Sequence, residues 1–429
     1  MSNEFTRSYV GEGGNSLKNS AYQLIGCAIL PRGATSKDAA VDITRMIGFI
    51  RIHESLFNPS LFFEIGIRDD YNFFEEFDLR GTEIIVLEFE TRALGLQKMT
   101  HKYEVHVTKI NDYARGDSQV HAYTLIGVSN HAFKAPLIKT SMVCSGETTN
   151  NIRLLCNSIG MEVVQKPSNL SGAITKTHTV FGMKNPLKAA LELLSVSADE
   201  EGTPYFLYET LSNNVYLAPL SWMINTDENP VYRTFTYTDQ QKSDPNSELE
   251  YFERSSQIVK LSSNIGTSPV EQTVKGGGHR ITRELDLNTK EPAEQISLPI
   301  QDTSLGFIPA GSKPFVKYRF TQPNANDNVH IAPPLSVLKA QWQDHLHAQI
   351  ISYDSMSHQF SIMGDMFLNP GRTVNLQFPK TLDPAANTKS LGIDRFDKRL
   401  SKDYLVFQAV HTFQEGKHTT DVTVKSNDN

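Results

Sequence analysis

Histidine residues in the C-terminal third have the residue types and spacing that could bind a metal ion. His345 and His347 are two positions apart, so on a strand both side chains would face the same side. A complete site requires a third ligand, and the candidates are Asp344, Asp354 and His358. Because histidine pairs at a helix–strand junction are more often structural or solvated, the sequence predicts neither a metal site nor a cofactor.

The acidic segment RDDYNFFEEFDL, Arg68–Leu79, is a second candidate for chemistry. Paired carboxylates perform acid/base catalysis when one is desolvated and the other stays polar, usually in a cleft built from several segments. Here all the carboxylates lie in one phenylalanine-rich connection, which favours a solvated or partner-facing loop. They are Asp69, Asp70, Glu75, Glu76 and Asp78.

Glycine-rich and cysteine motifs give no catalytic signal either. The loop KGGGHR, residues 275–280, lacks the strand-then-helix context that aims backbone amides at a phosphate. Cys27, Cys144 and Cys156 lack C-x-x-C spacing, and Cys156 falls on the apolar stripe of a predicted helix. P-loop, zincin, dinucleotide-binding and nucleophile-elbow motifs do not occur. The sequence therefore predicts a protein that is not an enzyme.

The bulk composition is typical of a soluble globular protein with several domains. Of its 429 residues, 39% are hydrophobic and 21% are charged. A chain of this length is too long for one ordinary core. A formal net charge of −7 argues against tight clamping of nucleic-acid backbones. Three scattered cysteines fit a reducing compartment. Without a signal peptide or a run of about 18 apolar residues, we expect no membrane insertion by this chain.

Strand-like alternation dominates both ends of the chain. EIIVLEFE, KYEVHVTKI and VHAYTLIGV alternate in succession, which predicts an antiparallel sheet or barrel. Helical periodicity and capping residues then appear in TTNNIRLLCNSIG and NPLKAALELL, and PYFLYETLSNNVYLAPL predicts a hairpin. Near the C-terminus, two alternating strands flank the tight-turn sequence QEGK.

Two stretches far apart in the chain share one pattern. LRGTEIIVLEFE (79–90) and LNPGRTVNLQFP (368–379) each contain a leucine, a polar turn with glycine and an alternating strand ending in Leu-x-Phe. Relative to the leucine of Leu-x-Phe, the two glycines differ in position by one residue, but the pattern indicates two copies of one barrel-like module. Pro370 and Gly371 permit a sharp turn into the second strand, and Pro379 cannot donate to a ladder. The strand and turn positions that we single out are Gly81, Leu87, Phe89, Gly364, Pro370, Gly371, Val374, Leu376, Phe378 and Pro379.

The order of several motifs resembles that of the central baseplate hub protein of contractile-tailed phages. This tail-tube-like family is related to the hub part of type VI secretion spikes. Ile50–Thr91 is similar to the family's opening strands and Gly202–Ile224 to its middle hairpin. GDMFLNPGRTVNLQFP and LSKDYLVFQAVHTFQEGKHTTDVTVKS are similar to its last strands, so the resemblance spans about residues 45–426.

The resemblance implies a structural protein of the virion, located in the tail baseplate and assembled in the host cytoplasm. Three chains would form a homotrimeric ring that joins the six-fold tail tube to the three-fold spike and forms part of the DNA channel. The implied partners are a spike protein below, tail-tube or tube-initiator proteins, and surrounding baseplate proteins. Tape-measure protein and DNA would pass through the channel.

Two alternatives remain open. One is the hub part of a type VI secretion or tailocin spike; such proteins often continue into a β-helical needle, whereas this sequence ends in KSNDN, so we expect a separate spike polypeptide. The other, from a different class, is a tail-associated cell-wall hydrolase, which would require an acid/base or metal constellation.

The expected fold class is α+β, mainly β, with two tail-tube-like antiparallel β-barrel domains per chain and helical or irregular connecting domains. We divide the chain into a polar N-terminal arm (1–40), a first barrel (41–147) and a connecting α/β domain with a hairpin (148–240). The second barrel comprises 241–260 and 336–429, and an irregular domain (261–335) is inserted into it.

Overall fold

The computed structural model describes most of the chain as strands, with a few short helices. The described residues are 22–30, 40–92, 98–115, 120–167, 173–212, 214–237, 255–265, 280–286, 292–297, 315–321, 335, 346, 350, 356–380 and 396–426. They fall into two sheet modules, a connecting domain and a small separate sheet.

The first module consists of seven strands, with a short helix, α1 (Phe73–Glu76), between the fourth and the fifth. The strands are β1 (Tyr22–Leu30), β2 (Val41–Asp42), β3 (Ile47–Ser55), β4 (Phe62–Asp69), β5 (Ile84–Arg92), β6 (Lys98–Arg115) and β7 (His121–Ser129). Their order in the sheet is β2-β1-β5-β6-β7-β4-β3, and all six pairings are antiparallel. A 3-10 turn at Thr44–Met46 leads from β2 into β3, so the strands form a circuit around an apolar core.

The second module repeats this arrangement. Its strands are β13 (Thr234–Tyr237), β14 (Gln257–Ile258), β15 (Lys260–Ile265), β19 (Met356–Met363), β20 (Thr373–Gln377), β21 (Lys402–Gln414) and β22 (Lys417–Ser426). The sheet order is β14-β13-β20-β21-β22-β19-β15, which matches the first module strand for strand. Only Val259 separates β14 from β15, so this circuit also closes through a bend of the chain. One difference is that β13 pairs in parallel with both of its neighbours.

The pairing registers align the repeated sequence motif. The long strand of each module has a bulge where its partner changes, between Val107 and Lys109 in β6 and between Val406 and Gln408 in β21. When Val107 is superimposed on Val406, the ladders place Leu87 at the position of Leu376 and Phe89 at that of Phe378. The Leu-x-Phe sequences therefore occupy equivalent places in the two modules.

The predicted mainly β, antiparallel fold is confirmed. In the described residues neither circuit is a barrel closed by a ladder of hydrogen bonds, because each closes through the chain between its second and third strands. Instead, β3 pairs with β21 and joins both modules in one sheet. The strand β1 lies inside the predicted N-terminal arm and buries Cys27 and Ile29, so residues 22–30 belong to the sheet. The other predicted domain boundaries stay predictions.

The connecting domain has the helices and the hairpin that the sequence predicts. It contains β8 (Thr140–Glu147), β9 (Val163–Gln165), β10 (Lys176–Lys184), β11 (Tyr205–Glu209), β12 (Val215–Pro219), α2 (Asn130–Lys134), α3 (Thr148–Asn157), α4 (Pro186–Leu194) and α5 (Leu220–Ile224). The Asn185 side chain caps α4 by accepting from the Lys188 backbone N–H at 3.1 Å. Gly160 follows α3 with φ +76°, which is the left-handed C′ position of a helix end.

The inserted region, predicted to be irregular, contains a three-stranded sheet. Its strands are β16 (Arg280–Asp286), β17 (Pro292–Ser297) and β18 (Phe315–Thr321), in the order β17-β16-β18. Because β16 and β18 pair in parallel and are far apart in sequence, a local hairpin signal cannot predict their pairing. Among the described helices, none is long and apolar enough to cross a membrane.

Candidate functional site

The site that this fold defines is the junction of the two modules, which we call the seam. It is the antiparallel ladder between β3 and the second half of β21, running from Ser55 opposite Gln408 to Phe49 opposite Gln414. Ile50, Ile52 and Phe413 are fully buried along it. The sheet also curls, since Phe413 on β21 packs against Phe89 on β5 with ring centroids 4.7 Å apart. Strands that are distant along the sheet therefore share one core.

A buried polar cluster lies in the seam. The Glu54 carboxylate is fully buried and accepts a hydrogen bond from the Leu211 backbone N–H. Its other oxygen lies 3.3 Å from His411 Nε2, and His411 Nδ1 lies 3.2 Å from His418 Nε2. Burial raises the pKa of Glu54, whereas burial lowers the pKa of His418 well below its usual value. Each polar group thus has a partner, as burial requires.

The hairpin of the connecting domain inserts its turn beside the same seam. The buried Glu209 carboxylate, at the end of β11, accepts from the Leu61 backbone N–H at 2.8 Å and from Ser129 Oγ at 2.5 Å. The Tyr103 hydroxyl donates to the Leu211 carbonyl oxygen at 2.6 Å. These contacts fix the connecting domain to the first module, and burial raises the pKa of Glu209.

Two of the predicted glycines are required where these parts approach one another. A Cβ at Gly364 would overlap the buried His418 ring, and the Gly364 backbone N–H donates to the His418 carbonyl at 2.9 Å. Gly371 has φ +82°, and a Cβ there would lie 2.5 Å from the Tyr208 hydroxyl. The glycine breaks before β20 therefore allow β22 and the connecting hairpin to pack closely against this turn.

The remaining predicted strand and turn residues lie in the two modules rather than in a single pocket. Gly81 also has φ +82°, and its N–H donates to the buried carboxylate of Glu83 at 2.9 Å. Pro370 is buried at the turn, while Pro379 is exposed and forms an isolated bridge with Phe396 just beyond β20. The core side chains are Leu87, Phe89, Val374, Leu376 and Phe378.

The acidic segment contains no catalytic pair in this structure. Asp69 is fully buried, and its oxygens accept from the backbone N–H groups of Tyr71, Phe73 and Phe74 at 2.8–3.0 Å. It therefore holds the start of α1. The other carboxylates are exposed: Asp70, Glu75, Glu76 and Asp78.

The candidate metal ligands are not brought together in the part of the chain that is described, where no cluster of three ligand side chains occurs. His358 is a core residue of β19, with Nδ1 2.7 Å from Ser263 Oγ and Nε2 3.0 Å from the Tyr404 hydroxyl. Burial lowers its pKa to about 4. Positions 344, 345, 347 and 354 and the glycines at 276–278 lie outside the described residues.

All three cysteines are buried free thiols. Burial raises the pKa of Cys144 to about 11 and that of Cys156 to about 12, and it also raises the pKa of Cys27. Thiols held in the protonated form are poor nucleophiles, so these residues act in packing.

Sequence reasoning missed the polar cluster of the seam. Glu54 follows Ile50 and Ile52 at two-residue spacing, and all three face the core. His411 has the same relation to Ala409 and Phe413 on β21. A charged or titratable side chain in the apolar phase of a strand indicates a buried partner, and that signal is visible in both strands. The sequence does not reveal which residue is the partner.

Solved structures of tail proteins resemble this architecture. The tail protein from Neisseria meningitidis MC58 aligns over 95% of this chain and 97% of its own, with a TM-score of 0.54 and 11% identity. The 43 kDa tail protein of prophage MuSo2 from Shewanella oneidensis aligns over 94% and 98%, with a TM-score of 0.48 and 10% identity. A chain of the Francisella PdpA-VgrG complex aligns over 96% of this chain and 59% of its own, at 11% identity and a TM-score of 0.46. No family model and no curated protein matches the sequence.

The alignment with the Neisseria tail protein covers nearly the whole of both chains, so this protein shares its fold. At this level of identity the likeness concerns the fold.

Proposed function

We propose that this protein is the structural hub of a phage tail baseplate, a trimeric ring that adapts a six-fold tail tube to a three-fold spike. The observation that carries the proposal is the duplication of one seven-strand module in the same strand order. A trimer of chains with two equivalent modules presents near-six-fold symmetry to one partner and three-fold symmetry to another. The fold shared with a tail protein supports the same assignment.

The proposed location is the tail baseplate of the virion, after assembly in the host cytoplasm. Its partners would be a spike protein on one side, and tail-tube or tube-initiator and baseplate proteins on the other. Tape-measure protein and DNA would pass through the ring. The net charge of −7 suits such a channel, because a lumen with few unpaired Lys and Arg side chains releases few counterions from DNA and does not hold it.

The first test is the absolute mass of the purified chain by light scattering after size exclusion, followed by negative-stain imaging. We expect three copies of the 48.1 kDa chain in a ring with a central hole. A monomer that also stays monomeric when co-expressed with the adjacent spike gene would contradict the proposal.

A second measurement addresses enzymatic alternatives. Cell-wall zymography of the purified protein should give no cleared band, because the proposed role is structural. A cleared band that disappears when a single carboxylate or histidine is substituted would replace the hub proposal with a tail-associated hydrolase. Association with a secretion-type spike instead of a phage spike would select the type VI or tailocin alternative.

A further inference from the structure

The pair of strands β8 and β10 in the connecting domain, which we call the ribbon, has two faces of different character. Cys144 and Phe181 point from the inner face into the core of the domain. On the outer face Val143 lies directly opposite Val180, and these side chains are 59% and 67% exposed. The centre of the outer face is therefore apolar and open to solvent.

A bulge at one end of the ribbon adds a third apolar side chain. The register shifts between Phe181 and Lys184, and Met183 within the bulge has φ +48°. The Met183 backbone N–H donates to the hydroxyl of Ser141 on the outer face at 3.0 Å, and its side chain is 68% exposed. Bulges commonly re-aim a side chain, and methionine adapts its shape to varied binding surfaces. The exposed apolar surface therefore continues beyond the valine pair.

The outward face of a strand in the second module shows a different composition. In β22 the buried residues alternate with the polar positions Lys417, Thr419, Asp421, Thr423 and Lys425. Alternation of this kind is typical of a strand whose second face meets water. Grouped apolar side chains on an exposed face are instead typical of an interaction site. The outer face of the ribbon belongs to the second type.

Exposed lysines surround the apolar centre of the ribbon. Lys139 directly precedes β8, and Lys176 lies on the outer face of β10. Lys134 on α2 and Lys188 on α4 are exposed on the helices beside them. A surface of this composition attracts a partner that carries negative charge.

Acidic residues do little to offset these lysines. Residues 130–190 contain seven Lys and Arg residues but two acidic ones, Glu147 and Glu162, in a chain whose formal net charge is −7. Glu147 accepts a hydrogen bond from the Asn150 side-chain amide at 2.9 Å. Glu192 on α4 pairs with Lys184 at 2.6 Å. The region of the ribbon is therefore basic within an acidic protein.

The combination of apolar centre and basic rim selects among negatively charged partners. A nucleic-acid backbone offers charge but no apolar surface to cover the valines. Faces that bind membranes are buried by about 5–10 Å, which valine side chains on a flat strand face do not reach. The same face of a second copy would bring lysine against lysine. A protein segment with both carboxylates and apolar side chains satisfies the whole surface, in the usual arrangement of an apolar interface core and a polar rim.

We propose that the outer face of the ribbon is a docking site for an acidic segment of a partner protein. Apolar side chains of that segment would cover Val143 and Val180, and its carboxylates would pair with Lys139 and Lys176. The proposal depends on the connecting domain and not on the duplicated modules, so it stands apart from the proposed hub function.

The experiment is a fluorescence anisotropy titration of the full chain against a short fluorescein-labelled peptide in which glutamate alternates with valine. One control peptide replaces glutamate by lysine, and another replaces valine by serine. We expect the acidic, apolar peptide to bind at least about ten-fold more tightly than either control. Added salt should weaken its binding, because exposed charge pairs are screened.

Two variants locate the binding to the ribbon. Lys139→Glu/Lys176→Glu reverses the charge of the rim, and Val143→Thr/Val180→Thr makes the centre polar while keeping β-branched side chains. Each should weaken binding of the acidic, apolar peptide by about ten-fold or more. Since all four side chains are exposed, the melting temperatures should match that of the parent.

A matched control makes the same two kinds of change in the second module. Val259→Thr/Lys260→Glu alters a valine that is 49% exposed and an exposed lysine next to it. This variant should bind the acidic, apolar peptide as the parent does.

Several outcomes would overturn the proposal. Binding that neither ribbon variant weakens lies elsewhere on the chain, and equal binding of the glutamate–serine peptide would remove the apolar centre from the site. Tighter binding of a DNA duplex, or of vesicles of phosphatidylcholine and phosphatidylglycerol, that the same variants abolish would assign the face to another class of partner. Self-association that is lost in Val143→Thr/Val180→Thr would assign it to a second copy. The mass and imaging test of the hub proposal is independent of each of these results.

Discussion

The two modules share a strand order but differ in how their equivalent strands enter the sheet. In the first module, β1 comes from the N-terminal segment and is antiparallel to β5, whereas β13 leaves the connecting domain and is parallel to β20. The sheet position is filled in both cases, although the chain direction is reversed. A strand is needed at this position of the circuit, but its direction is not fixed. A parallel and an antiparallel strand both satisfy the backbone hydrogen-bonding groups of the neighbouring strand.

The modules also differ in what covers equivalent edges. The second edge of β3 pairs with β21. In the described residues, the equivalent edges of β15 and of the second half of β6 have no strand partner. The position of Glu54 in β3 corresponds to Ile265 in β15. Polar side chains are thus buried at the completed seam, where the connecting hairpin supplies partners from a third element.

The largest effect is expected for Gly364→Ala. Its Cβ would overlap the His418 ring, which is itself buried and stacked on Phe413 at a centroid distance of 4.3 Å. Because the overlap is with a buried ring, we expect a cost of about 3 kcal/mol, the upper end of the usual range for overpacking, with a much lower melting temperature and little soluble protein. Gly182→Ala, where nothing lies within 4 Å, is the matched control. Equal stability of the two variants would show that the turn before β20 is not tightly packed.

The next effect concerns the buried carboxylate of the seam. Glu54→Ala leaves the Leu211 N–H and the Nε2 atom of His411 without a partner, and removal of one member of a buried cluster costs about 3 kcal/mol. Glu54→Gln keeps an acceptor for Leu211 and a donor for His411, so it should cost about 1 kcal/mol or less. Thermal unfolding of both variants tests the comparison. If both lose the same stability, the negative charge itself is needed and the hydrogen-bond account is wrong.

Much of the local structure follows from the sequence because its signals are short-range. Asn185 and Gly160 mark helix ends, QEGK marks the β21–β22 turn at Glu415 and Gly416, and alternation marks most strands. The Leu-x-Phe repeat predicted the duplication because the side chains of equivalent strands meet equivalent cores.

The features that sequence analysis missed depend on distant partners. Glu54 and His411 are 357 positions apart, and nothing near either residue indicates the other. The sequence places YQLIGCAIL, the segment of β1, in the N-terminal arm because it follows a polar, glycine-rich run and alternates weakly. Register between strands from opposite ends of a chain is decided by the whole core.

The glycines in the turns that precede the two Leu-x-Phe strands provide a narrower comparison. Gly81 and Gly371 both have φ +82°, so alanine at either position costs about 1 kcal/mol of backbone strain. At Gly81 the new Cβ meets the Lys109 backbone at an ordinary 3.4 Å, whereas at Gly371 it lies 2.5 Å from the Tyr208 hydroxyl. Gly371→Ala should therefore destabilise more than Gly81→Ala in thermal melts. Adding Tyr208→Phe to Gly371→Ala should restore part of the difference, and no restoration would place the cost in the backbone alone.

The smallest effect is a difference in acid sensitivity at one equivalent core position. Phe63 in the first module corresponds to His358 in the second. Burial, together with the nearby charge of Lys402, lowers the pKa of His358 to about 4. Unfolded chains protonate this histidine near pH 6.5 while the folded protein does not, so its contribution is complete above that pH and is lost as the pH falls toward 4.

His358→Phe introduces the residue of the first module and should reduce the fall in melting temperature between pH 7 and pH 4.5. The ring would pack against Phe378 as the histidine does, at a centroid distance of 5.1 Å, and the Tyr404 hydroxyl keeps its bond to the Leu400 carbonyl at 2.8 Å. His53, His101 and His418 also have lowered pKa values and remain in the variant, so acid sensitivity should decrease rather than vanish. A difference of about 2–4 °C, equivalent to about 1 kcal/mol, is the expected size. Identical pH profiles would mean that acid unfolding begins at the seam and not in the core of the second module.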